Sequence, residues 1–266
     1  MIKPAPRRVL LFLTAAFVFM LLGAQTVQGV ARVEPSKFVF TLEPGTRITD
    51  AIKVTNTQDT EVEFTAVVYD WTLDPQGRLV TFRAGERPDT LDGLIKFNPR
   101  RFKLAPGQSQ YVRFTITAPK NGNWLERRGI IFFEESRPSP ETVGSTMIFQ
   151  VGTTVYLSFT ETLYSFRLLG VKIEPTPQGR PVALLGLAND GQAHIRYQVA
   201  YEITGEDGTP STAWTSGEQL ILPDSQCLLT VPIETELPPG NYQLSVRLSF
   251  SGTTQTLSSV VPFTIP

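Results

Sequence analysis

The run Ser145 to Phe159, STMIFQVGTTVYLSF, is a long β-compatible segment that follows a loop containing Pro and Glu. Side chains in a strand alternate between faces, so Met147, Phe149, Val151, Val155 and Leu157 share one side while Ile148, Gln150, Gly152, Thr154 and Tyr156 share the other. Both sides carry apolar residues. Such a strand is either central and covered twice, or an edge whose second face waits for a partner, and an edge of that kind left bare invites aggregation. Which of the two it is decides what the chain can do.

Around this run, Gly, Pro, Asn and Asp separate short alternating segments, and no window has helical periodicity. The fold class this implies is all-β, two immunoglobulin-like β-sandwich domains in series. In the first half the strand-like runs are Phe38 to Leu42, Ala51 to Thr55, Glu61 to Trp71, Arg78 to Phe82, Arg101 to Leu104, Gln110 to Thr117, Gly129 to Glu134 and Met147 to Phe159. A second set runs from Phe166 through Val171 to Ile173, Val182 to Ala188, His194 to Thr204, Glu218 to Leu222, Cys227 to Glu234, Tyr242 to Phe250 and Val260 to Ile265. In NYQLSVRLSF the alternation is clean, with Tyr242, Leu244, Val246, Leu248 and Phe250 on one face. Its lead-in, Leu237-Pro238-Pro239-Gly240-Asn241-Tyr242, resembles a tyrosine corner, in which a Tyr hydroxyl ties a crossover back to the main chain. The expected units are residues 32–163 and 164–266.

Residues 1–31 read as a signal peptide. Lys3, Arg7 and Arg8 precede an uncharged apolar core from Val9 to Ala24, and Gly29-Val30-Ala31 supplies small residues for cleavage after Ala31. An uncleaved anchor is the competing reading, and membrane attachment is expected only in that case. Removing the signal takes away three of the 24 Lys and Arg and none of the 25 Asp and Glu, which leaves a net charge of -4. The basic residues are scattered among acids, so no nucleic-acid partner is expected. Cys227 is the single cysteine. An exported fold without a disulfide has to rely on its cores.

Three segments of the first half carry a family resemblance. KFVFTLEPGTRITDAIKVTNT gives a strand, a Pro-Gly turn and a second strand ending in Asn; FNPRRFKLAPGQSQYVRFT gives an Asn-Pro and a Leu-x-Pro-Gly turn feeding a strand; RRGIIFFEE precedes the variable loop and the long last strand. In order and spacing, over about 130 residues, this module resembles the periplasmic pilus-assembly chaperones. That resemblance implies a periplasmic protein that binds and caps β-rich pilus or surface-protein subunits, lending them the last strand of its first domain, with an outer-membrane usher as a further partner. It implies a client-binding strand made of Met147, Phe149, Val151 and Val155. It also implies a cleft anchor in which an arginine on the first strand and a lysine on the last hold the client's C-terminal carboxylate. Here the first position falls at Lys37, which keeps the charge without the bidentate fork. The second falls at Tyr156, or at Thr154 in the neighbouring register, and neither is cationic.

Each of these residues has a plainer reading. Met147, Phe149 and Val151 also suit a strand packed on the module's own second sheet, and Lys37 a solvated strand end. His194 lies on the polar side of its run beside Arg196 and Gln198, as a surface histidine does, and Cys227 shares a face with Leu229, Val231 and Ile233 as a small core residue. With one His and one Cys in the chain a zinc site is not expected, nor is any other metal or cofactor. Glu134-Glu135 and Glu206-Asp207 read as solvated acids at strand ends or turns. No Gly-x-Ser-x-Gly, Gly-Lys-Ser or His-Glu-x-x-His motif occurs, so a binding protein is expected and not an enzyme. The alternative within that class is a structural or adhesive envelope protein that never lends a strand.

Overall fold

The computed structural model describes residues 31–120, 125–138, 144–160, 162–175, 181–233 and 237–265. The expected signal peptide, residues 1–31, lies almost wholly outside the described residues. Among those residues every regular element is a strand. The first ten are β1 (Ala31–Glu34), β2 (Lys37–Leu42), β3 (Arg47–Asn56), β4 (Val62–Leu73), β5 (Leu79–Arg83), β6 (Ile95–Asn98), β7 (Arg101–Leu104), β8 (Ser109–Thr117), β9 (Arg127–Pro138) and β10 (Thr146–Phe159). They form a four-stranded sheet in the order β1-β3-β8-β6, facing a six-stranded sheet in the order β2-β10-β9-β4-β5 with β7 also paired to β4. The chain changes sheets between β1 and β2 within two residues, Pro35 and Ser36.

Alternation decides which side chains meet between these sheets. Ile52, Val54, Val112, Phe114 and Ile116 come from one sheet, and Phe38, Phe64, Phe133, Val155 and Leu157 from the other. Phe38 packs edge-on against Phe114 with ring centroids 4.9 Å apart. Both Pro-Gly turns expected from the sequence form. In Glu43-Pro44-Gly45-Thr46 and Ala105-Pro106-Gly107-Gln108 the fourth N–H donates to the first carbonyl, at 3.2 and 3.0 Å. Gly45 and Gly107 have φ of 76° and 72°, the region that this turn type demands at its third residue. At the end of β3, buried Asn56 donates to the carbonyls of Thr60 and Leu104 and accepts from the Gln58 N–H, so one side chain fastens two loops.

The second sandwich contains β11 (Phe166–Pro175), β12 (Pro181–Asn189), β13 (Ile195–Gly205), β14 (Pro210–Thr215), β15 (Gln219–Ile221), β16 (Ser225–Pro232), β17 (Gly240–Phe250) and β18 (Thr256–Ile265). Its sheets run β11-β12-β16 and β14-β13-β17-β18, with β15 on β13. Leu185, Val199, Ile203, Leu244 and Leu248 fill its core. The Asn56 device recurs: buried Asn189 at the end of β12 donates to the Ala193 and Ile221 carbonyls and accepts from the Gly191 N–H. The tyrosine corner is present, Tyr242 donating to the Pro238 carbonyl at 2.8 Å. Strands β1, β6 and β14 are additions to the sequence reading. Cys227 is half-buried against the second core, with burial holding its thiol pKa above the usual range.

The two sandwiches touch through a small core of their own. Trp71, Ile130 and Tyr156 from the first pack with Leu222 from the second. Next to it the fully buried Glu126 crosses the boundary. Its N–H donates to the Gln192 carbonyl at 2.8 Å, and its Oε2 lies 2.5 Å from His194 Nδ1 and accepts from Ser158 at 3.2 Å. His194 is therefore not the surface histidine that its polar strand face suggests. The first sandwich covers that face, and the imidazole sits 4.1 Å from the Tyr156 ring.

Two outcomes follow from this packing. Replacing Tyr242 by Phe should cost about 1 kcal/mol in urea unfolding, the usual worth of one hydrogen bond, with no change of fold by circular dichroism. Glu126→Ala leaves the imidazole and the Ser158 hydroxyl without their acceptor and should cost about 3 kcal/mol. Amide exchange at His194, whose N–H faces the same carboxylate, should rise with it.

Candidate functional site

Strand β10 has fourteen residues, and its two long edges are covered unequally. Antiparallel β9 pairs with it from Thr146 to Leu157. On the other edge, parallel β2 reaches only from Thr154 to Phe159. The upper half, Thr146 to Thr153, has no hydrogen-bonded strand on that edge among the described residues. The strand is thus central in its second half and an edge in its first, which answers the question posed by its two-faced apolar pattern.

Main-chain directions in the open half follow from the covered half. The Thr154 N–H donates to the Ser36 carbonyl at 3.1 Å, across the edge that β2 occupies. Peptide groups alternate along a strand, so those of Ile148, Gln150 and Gly152 point out of the same edge with no described strand paired to them. They form a row of donors and acceptors ready for another strand.

The side chains show a gradient. Val155 is completely buried in the first core, beneath the part of β10 that β2 covers, so it does not reach the open edge as the resemblance implied. Val151 packs on the rim of that core. Phe149 is half-buried, with the Arg137 guanidinium 5.5 Å from its ring centre. Met147 and, on the opposite face, Ile148 are 41% and 57% exposed. Gly152 stands where no other residue fits: a Cβ there would lie 2.6 Å from Phe132 Cδ1 and 2.7 Å from the Ile131 carbonyl oxygen.

A polar cluster closes the sandwich beneath Phe149. Glu135 is buried and ion-paired with Arg137, which also donates to Gln58, and Gln58 donates back to Glu135 at 3.0 Å. Glu134 on the other face accepts from Tyr69 at 3.0 Å and from Gln150 at 2.6 Å. Burial, followed by this bond to Glu134, raises the Tyr69 pKa. The two acids are thus not solvated strand ends, because β9 continues past them and β10 covers one side.

Of the three positions of the implied cleft anchor, two meet and the third is buried elsewhere. Lys37 is exposed and stands directly opposite Thr154 in the parallel pair. Tyr156 is buried between Trp71, His194 and Arg196, with burial pushing its hydroxyl pKa up and Arg196 working against that rise. Between the sandwiches lies a cleft of about 800 Å³ whose walls include Val39, Ser158, His194, Arg196, Phe250 and Leu257. Arg196, which the sequence reading passed over as a polar neighbour of His194, is a cation in its wall. It is already engaged, donating to Glu218 at 2.8 Å and lying 3.5 Å from the Tyr156 hydroxyl. Hydrogen bonds from Ser251 and then from Arg196 hold the Glu218 carboxyl below its ordinary range. Among the described residues no group of three or more His, Cys, Asp or Glu could hold a metal ion.

No protein-family model matches the chain, and no curated protein matches it. Several solved structures are similar. The YadV chaperone is 8% identical, with 88% of this chain and 100% of that one covered and a TM-score of 0.48. The class 5 fimbriae chaperone CfaA is 13% identical over 88% of this chain and 100% of that one, with a TM-score of 0.47. A chain of the CsuC-CsuE chaperone-tip adhesion subunit complex from the archaic chaperone-usher Csu pili of Acinetobacter baumannii is 13% identical, covering 86% and 97%, with a TM-score of 0.45. At these identities and scores the likeness is one of chain course and carries nothing about binding.

Proposed function

We propose that this chain is an exported periplasmic chaperone that caps β-rich pilus or surface-protein subunits by pairing the open half of β10 with them. The observation that supports this reading is the unpaired edge from Thr146 to Thr153, with its outward peptide groups and its graded apolar face. Main-chain hydrogen bonds from such an edge tolerate many client sequences. Met147, Phe149 and Val151 on the inner face supply side chains to the client's groove, and Met adapts to irregular surfaces. An outer-membrane usher would receive the capped subunit. The folding units in this reading are residues 32–163 and 164–266, and the lending is the work of the first.

The carboxylate anchor plays a smaller part than in the family the sequence resembles. Lys37 carries the only charge of the three positions, Thr154 opposite it is neutral, and Tyr156 is committed to the contact between sandwiches. Affinity then rests on the strand.

Phe149→Glu tests this directly. The new carboxylate has Arg137 beside it in the free protein, so the fold is kept, whereas in a complex it enters an apolar groove. The cost of about 3 kcal/mol amounts to roughly a hundredfold in affinity. Copurification of envelope subunits should be lost with circular dichroism unchanged, and Lys37→Ala should do less. A folded Phe149→Glu protein that still retains its subunits contradicts strand lending. Processing is checked separately: the mature protein should begin at Arg32 by intact mass and should fractionate free of the membrane after a high-salt wash, which an uncleaved anchor would survive.

A further inference from the structure

The outer face of the four-stranded sheet carries a charge pattern that strand lending does not use. Register fixes which residues share it. Arg32 and Glu34 of β1, Arg47 and Lys53 of β3, Arg113 of β8 and Lys96 of β6 all alternate with core residues and therefore point outward together. The face holds five cations and one acid, although residues 32–163 as a whole contain 16 basic and 16 acidic side chains. Glu34 is ion-paired with Arg32 at 3.3 Å. The other four cations, Arg47, Lys53, Lys96 and Arg113, have no ion pair among the described residues.

The positions between these cations are Thr49, Ala51 and Thr115, all short, so the surface between the charges is level. One large side chain rises from it. Tyr111 is 62% exposed and stands directly opposite Lys53 in the β3–β8 ladder. The two long strands β3 and β8 run roughly 30 Å, and the short β1 and β6 widen the face on either side of them. A level array of unpaired cations around a ring with an apolar body and a polar tip matches an anionic lipid surface, where phosphates meet the cations and the ring enters the headgroup layer.

We propose that this face docks on membranes rich in anionic lipid headgroups. The inference does not depend on the strand-lending reading. Docking there leaves the open edge of β10, which belongs to the other sheet, free to engage a partner.

Cosedimentation of the exported protein with vesicles tests it. Vesicles of phosphatidylcholine with an equal part of phosphatidylglycerol should retain at least about tenfold more protein than phosphatidylcholine alone, and added salt should erase the difference. Lys53→Glu combined with Arg113→Glu should abolish it, Lys53→Gln with Arg113→Gln should reduce it, and Tyr111→Ser should weaken binding with the salt dependence retained. Arg101→Glu on the other sheet should leave it unchanged. An uncleaved apolar segment would bind both vesicles alike and be indifferent to these substitutions. Equal partition onto the two vesicles, or a difference that survives the Gln and Glu pairs, overturns the proposal and leaves an acidic protein surface as the partner of this face.

Discussion

The short parallel ladder between β2 and β10 is the contact on which the rest of the first sandwich depends. It joins the chain's second strand to its tenth, and it stops at Lys37 because the chain before that point belongs to the other sheet. Pro35 reinforces the stop, since it has no N–H to give to a ladder. Had β2 begun a few residues earlier, it would have covered Gly152 and Gln150. The edge is therefore made by a change of sheet far away in sequence, and its length is set by where that change falls.

A bare edge is a hazard that folded proteins normally blunt. Here the blunting is partial and local. Arg137 and Glu135 bring charge to the rim under Phe149, and Gln150 is tied to Glu134, so the open half is flanked by polar groups while its own peptide row stays clear. The covered half is the opposite. Val155 and Leu157 anchor it in the core, and Tyr156 on its other face is held by the second sandwich. One strand is fixed at one end by two layers of packing and presented at the other.

Much of this could be read from the residues, for reasons that are local. The Pro-Gly turns, the tyrosine corner at Tyr242 and the alternation of β17 depend on neighbours in sequence, and each formed as expected. The two apolar faces of β10 were also plain. Which half was covered was not, because it rests on a partner more than a hundred residues away. His194 misled for the same reason: its strand face is polar, yet another domain lies against it. Glu135 looked like a solvated strand end because Gln58, which closes over it together with Arg137, lies far away in sequence. Strands β6 and β14 are short or polar and give too little alternation to stand out from loops.

In the strand-lending proposal, the gradient of burial along β10 also sets how recognition begins. The edge is formed before any partner arrives, and no described segment of this protein has to unfold or swing aside to expose it, so the ordering entropy of association falls mainly on the incoming chain. A partner already folded has little to gain from a row of peptide groups, whereas one with an unpaired strand of its own gains a full ladder. Under that proposal, selectivity for incomplete structure is a property of the backbone, achieved without reading the partner's sequence.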